Sequence, residues 1–375
     1  MFGKNIFQDY VLPVATLSGA IVGVGFFSLP YIALQVGIWQ MIFYFFVLGS
    51  LVISVHLIFG EIALLTPDFK RFPGFVKFHL GKWLGYLYLL SMILGSFGVL
   101  LVYLIIGSDF LTNIFGGSQL FYALIFWALV TAIIYFGIKI VSKIEFGVMI
   151  FLFLVLFLIF INGFSQIKLE NIFISNFELK ISNLLLPYGP IIFSLWGMGI
   201  IPEIEEMLGK KRKNLKKIIA ISLATVSVVY LFFIFLILGI TGTNTTETAL
   251  TGLKNYLGPV FFSFSLFLGV ITTFTAFIML GFTLKKVFMY DLGVRKTQAW
   301  LITCFAPLVL FLIGLNSFIT LISFVGGVLL SIDGILILLM YKKLGGNKMI
   351  IYPLALIFLL GIAYQINVFF INLWF

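Results

Sequence analysis

Long apolar runs recur along the whole of this 375-residue chain, and they decide what it can fold into. They lie near 10–35, 38–65, 83–113, 119–138, 143–163, 185–206, 215–240, 258–285, 297–314, 317–340 and 349–372. A helix of roughly 20 residues crosses the hydrocarbon core of a bilayer, and these runs have about that length. Only 10% of the residues are charged and 62% are hydrophobic, whereas a soluble domain is typically about 25% charged. A water-soluble enzyme, a disordered chain and a nucleic-acid-binding domain are therefore excluded. The runs are continuous rather than alternating, which excludes a β-barrel. The fold class is an all-α polytopic membrane protein with about eleven transmembrane helices. The first run continues past Pro30 without a small-residue cleavage site, so it reads as an uncleaved span and not as a signal peptide. One cysteine, Cys304, and two histidines, His56 and His79, give no disulfide framework and no metal site to expect.

The net charge of +10 follows the loops. With the N-terminus in the cytoplasm, the inward-facing segments hold every one of the 23 basic residues except Lys168, Lys180 and Lys254. Basic residues accumulate on the cytoplasmic side of membrane proteins, so the spans and the orientation support each other. The C-terminus then lies outside, and the expected location is the cytoplasmic membrane. The run from Lys210 to Lys217 reads as an orientation-fixing loop, ahead of a lipid or nucleic-acid patch. The expected partners are a small-molecule substrate and the lipid bilayer, with no nucleic acid and no specified oligomeric state.

Two spans contain helix breakers at corresponding places. The first reads Gly23-Val24-Gly25 followed by Pro30; the sixth reads Gly197-Met198-Gly199 followed by Pro202. Proline removes an N–H and clashes with the carbonyl four residues earlier, and the first helix is expected to open around Val22–Phe27. The two spans run in opposite directions, five helices apart. Interrupted spans in corresponding positions of inverted halves mark the binding site of a secondary transporter. Close helix packing at small residues is the competing reading for either segment alone. The expected organisation is a first repeat over about 10–163, a second over about 185–345 and an extra helix at 349–372. A break at membrane depth leaves N–H and C=O groups that hydrocarbon cannot satisfy. Free N–H groups near Gly25 and Phe26 suit a carboxylate. Carbonyls of Ala20, Ile21, Ser194 and Leu195 suit an ammonium group. Glycines 23 and 197 keep the backbone bare, and the natural ligand is a zwitterion such as a free amino acid.

The string Gly23-Val24-Gly25-Phe26-Phe27-Ser28-Leu29-Pro30-Tyr31 resembles the first-helix motif of the amino acid–polyamine–organocation superfamily. The sixth-span string from Trp196 to Met207, and Tyr103 to Leu111 of the third span, resemble its amino acid/auxin permease branch. The resemblance covers about 10–345. It implies a LeuT-like fold, a 5+5 inverted repeat with helices 1 and 6 broken, and amino acids as substrates. It also implies that Phe26, Tyr103 and Trp196 face the substrate. A sodium site follows by the same resemblance, formed by Val22 and Gly269 carbonyls with the hydroxyls of Thr272 and Thr273. A threonine bonded to its own helix is the alternative for that pair. No resident cofactor is expected beyond Na⁺ or H⁺ as coupling ion, with Na⁺ ahead because the fifth span has no central lysine.

Ionisable residues inside a membrane are costly and mark function by default. Asp333, Glu203 and Glu61 are the gating or proton candidates, with Asp109 near the outer boundary and His56 read as structural. Glu203, Glu205 and Glu206 stand beside the lysine run and are expected to form ion pairs at a cytoplasmic gate. The function expected is amino acid transport by alternating access. The rivals are an ion channel or ion transporter on the same fold, a membrane-embedded enzyme, which would need a catalytic constellation this chain lacks, and a sensor.

Overall fold

The structure is a computed structural model that describes residues 7–67, 70–136, 154–173 and 185–374. Among these residues every regular element is helical. The first span is two helices, α1 (Leu12–Ile21) and α2 (Leu29–Val36). Then come α3 (Ile38–Leu65), α4 (Phe72–Leu80), α5 (Lys82–Phe115) and α6 (Gln119–Phe136). After α7 (Leu154–Gln166) the sixth span is again two pieces, α8 (Tyr188–Leu195) and α9 (Ile201–Leu208). The rest is α10 (Leu215–Thr241), α11 (Pro259–Tyr290), α12 (Lys296–Leu312), α13 (Phe318–Phe324), α14 (Ser331–Lys343) and α15 (Lys348–Trp374). Each expected stretch carries helix where it falls on described residues; most of 143–163 lies outside them.

Among the described residues, seven helical runs are long and apolar enough to cross a membrane, or eight with α1 and α2 taken as one bent span. One of the seven, Tyr188–Asn244, holds α8, α9 and α10 with their breaks. The outside of the bundle carries many large apolar side chains. Phe46 is 77% exposed and Trp83 74%, side chains that water would not tolerate in such number but that lipid accepts. Short reversals join the helices where glycine can take a positive φ, as at Gly37 (84°) between α2 and α3.

Two apolar cores divide the molecule. One lies largely among α1–α3, α8–α10 and α14. The other is built from α5, α6, α11 and α12. Small residues bring helices together where lipid supplies no hydrophobic drive. A Cβ on Gly269 of α11 would lie 2.2 Å from the Phe110 ring of α5, and one on Gly107 of α5 would lie 2.4 Å from Phe126 of α6.

Two features depart from the sequence expectation. The segment after the second span is helical: α4 buries Phe72, Phe75, Val76 and His79. It is tied down by a 2.8 Å hydrogen bond between Thr66 Oγ1 and His79 Nε2, and by Lys343 Nζ donating to the His79 carbonyl at 2.5 Å. The tenth span is not uniform either. Between α13 and α14 it widens into a π-turn at Val325–Leu330, a distortion common at functional sites. There Gly326 lies against α8, and a Cβ on it would stand 2.1 Å from the Gly189 carbonyl oxygen. Backbone meets backbone, so nothing can rotate aside. Gly326→Val is expected to destabilise the protein by about 3 kcal/mol, at the upper end of overpacking costs. Thermal unfolding in detergent would read this as a lowered Tm; an unchanged Tm would show that the two helices separate freely.

Candidate functional site

Both glycine-containing segments are broken. In the first, the Val22 N–H still reaches the Ser18 carbonyl at 3.0 Å, then Gly23 turns extended at φ −109° and ψ −164°. The chain resumes as a 3₁₀ turn, Val24–Ser28, and the two arms are bent by 55°. The Ser28 hydroxyl donates to the Gly25 carbonyl at 2.6 Å, and Pro30 sits in the first turn of α2, where its missing N–H does no harm. In the second, α8 ends at Leu195, Trp196 is extended at φ −79° and ψ 119°, and a 3₁₀ turn over Met198–Ile200 leads into α9.

The breaks face each other. A Cβ on Gly25 would lie 2.6 Å from Phe193 and 2.7 Å from Ser194 Oγ, and one on Gly197 would lie 2.4 Å from Ile21. Neither break contains a charged side chain. Two residues from neighbouring spans complete them. His56 of α3, fully buried, accepts the Gly197 N–H at Nε2 (3.0 Å). Its Nδ1 contacts the Val52 carbonyl at 2.8 Å. A ring that accepts on one nitrogen and donates on the other is neutral imidazole. The Tyr230 hydroxyl of α10 lies 3.2 Å from the Ile21 carbonyl and 3.1 Å from the Ser194 carbonyl.

A cavity of about 920 Å³ reaches the second break at Trp196, Met198 and Gly199. Lys70, Arg71 and Lys77 stand at its basic end, while Tyr103, Trp196 and Met198 line its deep end. Asp333, Glu203 and the hydroxyl of Ser91, buried without a partner, lie along the way. On the opposite side the breaks are sealed. Phe26, Phe27, Phe110 and Phe233 are at most 1% exposed and meet edge to face, with ring centres 4.8–6.4 Å apart. Above them Thr248 donates to Asp109 at 3.3 Å, and burial pushes the nearby Glu247 carboxyl above its usual range. Among the described residues the vestibule opens toward the basic face.

The candidate residues distribute unevenly over this geometry. Tyr103 and Trp196 line the cavity, and space beside Gly23 is open: a Cβ there would be 4.0 Å from the Tyr103 hydroxyl. The space beside Gly25 is instead taken by the sixth span, so that glycine serves helix contact. Phe26 turns its ring into the aromatic seal and away from the cavity, stacking on Tyr230 at 5.7 Å. Ala20 is exposed, while Ile21, Ser194 and Leu195 are buried. Thr273 donates to the Gly269 and Val270 carbonyls, both at 2.9 Å, as a helix-bound threonine does. Thr272 Oγ1 is buried and has no partner. Val22 is the last residue before the extended turn. Glu61 pairs with Lys216 at 2.6 Å, Glu205 with Arg212 at 3.7 Å, and Asp9 with Lys211. These pairs anchor the basic loop after α9 and the first turn of α10 to the first, second and sixth spans. Tyr230 carried no signal in sequence, being one tyrosine among 15.

His56→Leu would leave the Gly197 N–H buried and unpaired, which costs about 1–3 kcal/mol. A lower Tm together with weaker ligand binding is expected; binding at wild-type strength would show that the second break does not need this acceptor.

The sequence profile of the tryptophan/tyrosine permease family matches residues 8–363. No curated protein matches the chain. A crystal structure of MhsT in complex with L-phenylalanine is similar over 96% of this chain and 98% of that one, with a TM-score of 0.63 and 15% identity. The Eremococcus coleocola manganese transporter, solved with an aromatic bis-isothiourea compound, is similar over 99% of this chain and 89% of its own, with a TM-score of 0.68 and 13% identity. These likenesses show a shared fold, the LeuT fold. A match over nearly the whole length, on a multi-pass helical bundle with two facing breaks, makes this chain an amino acid transporter belonging to the tryptophan/tyrosine permease family.

Proposed function

We propose that the protein carries aromatic amino acids, tryptophan and tyrosine first, across the cytoplasmic membrane by alternating access. The family carries this reading to the substrate class, and the related MhsT structure holds L-phenylalanine. The single observation that supports it most is the meeting of bare backbone and aromatic wall. Carbonyls of Ile21 and Ser194 meet at the Tyr230 hydroxyl, and a large cavity whose deep end is made by Tyr103 and Trp196 reaches the second break. The carbonyls suit an ammonium group, and the aromatic end suits a ring. The proposed orientation puts the basic face in the cytoplasm, so the open vestibule is the inward-facing release path. The proposed halves are about 10–163 and 185–345, rocking about the breaks.

Sodium is the proposed coupling ion. The orphan hydroxyl of Thr272, the Thr273 hydroxyl and the Val22 and Gly269 carbonyls are all oxygen donors, as a hard cation requires. When bound, Na⁺ would supply positive charge beside the first break. A divalent transition metal is a poorer fit, because such ions favour carboxylate or imidazole ligands, and neither break carries a carboxylate. Proton coupling would instead draw on Asp333 in the vestibule.

Uptake of labelled tryptophan, tyrosine and phenylalanine into proteoliposomes tests the reading. Inward sodium gradients are expected to drive accumulation, and Thr272→Ala is expected to lower the sodium response by about tenfold or more, the worth of one well-placed ligand. Accumulation driven by a proton gradient alone would remove the sodium proposal. Gly23→Ala meets no steric obstacle in the empty protein, yet it fills space beside Tyr103. Expected is a near-normal Tm with binding weakened about tenfold or more, a displacement of backbone from ligand worth about 1.4 kcal/mol. Full transport by this variant would place the ligand elsewhere.

A further inference from the structure

The C-terminal ends of two helices converge here. α1 ends at Ile21 and α8 at Leu195, and each helix terminus carries a partial negative charge of about half a unit. Two such ends repel unless a donor or cation lies between them. The group found between them is the Tyr230 hydroxyl, within 3.2 Å of both the Ile21 and Ser194 carbonyls. Its side chain is wholly buried, and its ring is held by stacking on Phe26 with planes 7° apart. A phenol has one hydrogen, so it serves one carbonyl at a time; the Ile21 carbonyl also accepts the Gly23 N–H at 2.8 Å. An alkylammonium has three and can serve both.

We infer that Tyr230 is an internal stand-in for the substrate's ammonium group. In the empty carrier its hydroxyl holds the two broken spans together, and an arriving ammonium displaces it from the same two carbonyls. This rests on the reading that the breaks hold an amino acid, and it assigns a positioning and affinity-setting role to a residue that touches neither lipid nor the vestibule. Exchange of substrate for substrate needs only the loaded carrier to reorient. Net uptake also needs the empty carrier to return, and that is the step the hydroxyl serves.

Tyr230→Phe keeps the ring and removes the hydroxyl. Net tryptophan uptake into substrate-free vesicles is expected to fall ~10-fold while exchange in preloaded vesicles stays within ~2-fold, and tryptophan should bind ~5-fold tighter, the range set by one hydrogen bond. Equal loss in both modes, or no change in either, overturns the inference. If this variant does not fold, 3-fluorotyrosine placed at 230 keeps ring and hydroxyl and makes a stronger donor. Tryptophan affinity is then expected to fall ~3-fold, the scale of a strengthened hydrogen bond, and unchanged affinity overturns the inference. A wild-type protein that moves no amino acid in either mode removes both the transport reading and this one. If Gly23→Ala blocks transport but Tyr230→Phe leaves the ratio of net uptake to exchange unchanged, this inference alone falls.

Discussion

Backbone amides that cannot stay unpaired in hydrocarbon are the constraint on which this structure depends. An unbroken helix satisfies all its own N–H and C=O groups, which is why most of the chain is helix with an apolar exterior. At two places the chain gives up that solution. The opened groups are sheltered by protein: the first break lies against the second, and His56 and Tyr230 reach in from α3 and α10. A polar site is thereby built at membrane depth without a charged side chain. Permanent peptide dipoles suit the zwitterion proposed as its ligand, and the apolar side chains around the breaks insulate them.

The rest of the architecture serves this arrangement. The core of α5, α6, α11 and α12 is packed through glycines that admit aromatic rings, giving a stiff wall beside the breaks. The other core contains the broken spans themselves. Phenylalanines close one route to the site, and a cavity leaves the other open. The π-turn of the tenth span fits α8 closely enough to couple its position to that of the second break. A transporter that alternates access needs this asymmetry, in which one half of the path is packed and the other is open.

Much of this was legible before any coordinates. Hydropathy marked the spans, because about 20 apolar residues in a row have few other fates. Gly23, Gly25 and Pro30, with Gly197, Gly199 and Pro202, marked the breaks, because paired glycines weaken a helix and a nearby proline removes an N–H. Phe26 illustrates the limit. It lies within the first motif, yet its ring points into the seal, since the direction of a side chain on a 3₁₀ turn depends on what packs around it. Gly25 likewise reads as ligand space in sequence and is filled by Phe193 and Ser194 in three dimensions.

What the sequence alone determined is therefore local: where helices run, where they fail, and how charge is shared among the loops. These follow from hydrophobicity, backbone chemistry and charge, all properties of short segments. Only the tertiary structure decided which groups meet. Tyr230 is 209 residues from Ile21 and His56 is 141 from Gly197, separations that no periodicity encodes. Their roles arise from helix packing, which places one hydroxyl between two carbonyls and one imidazole beneath a single N–H.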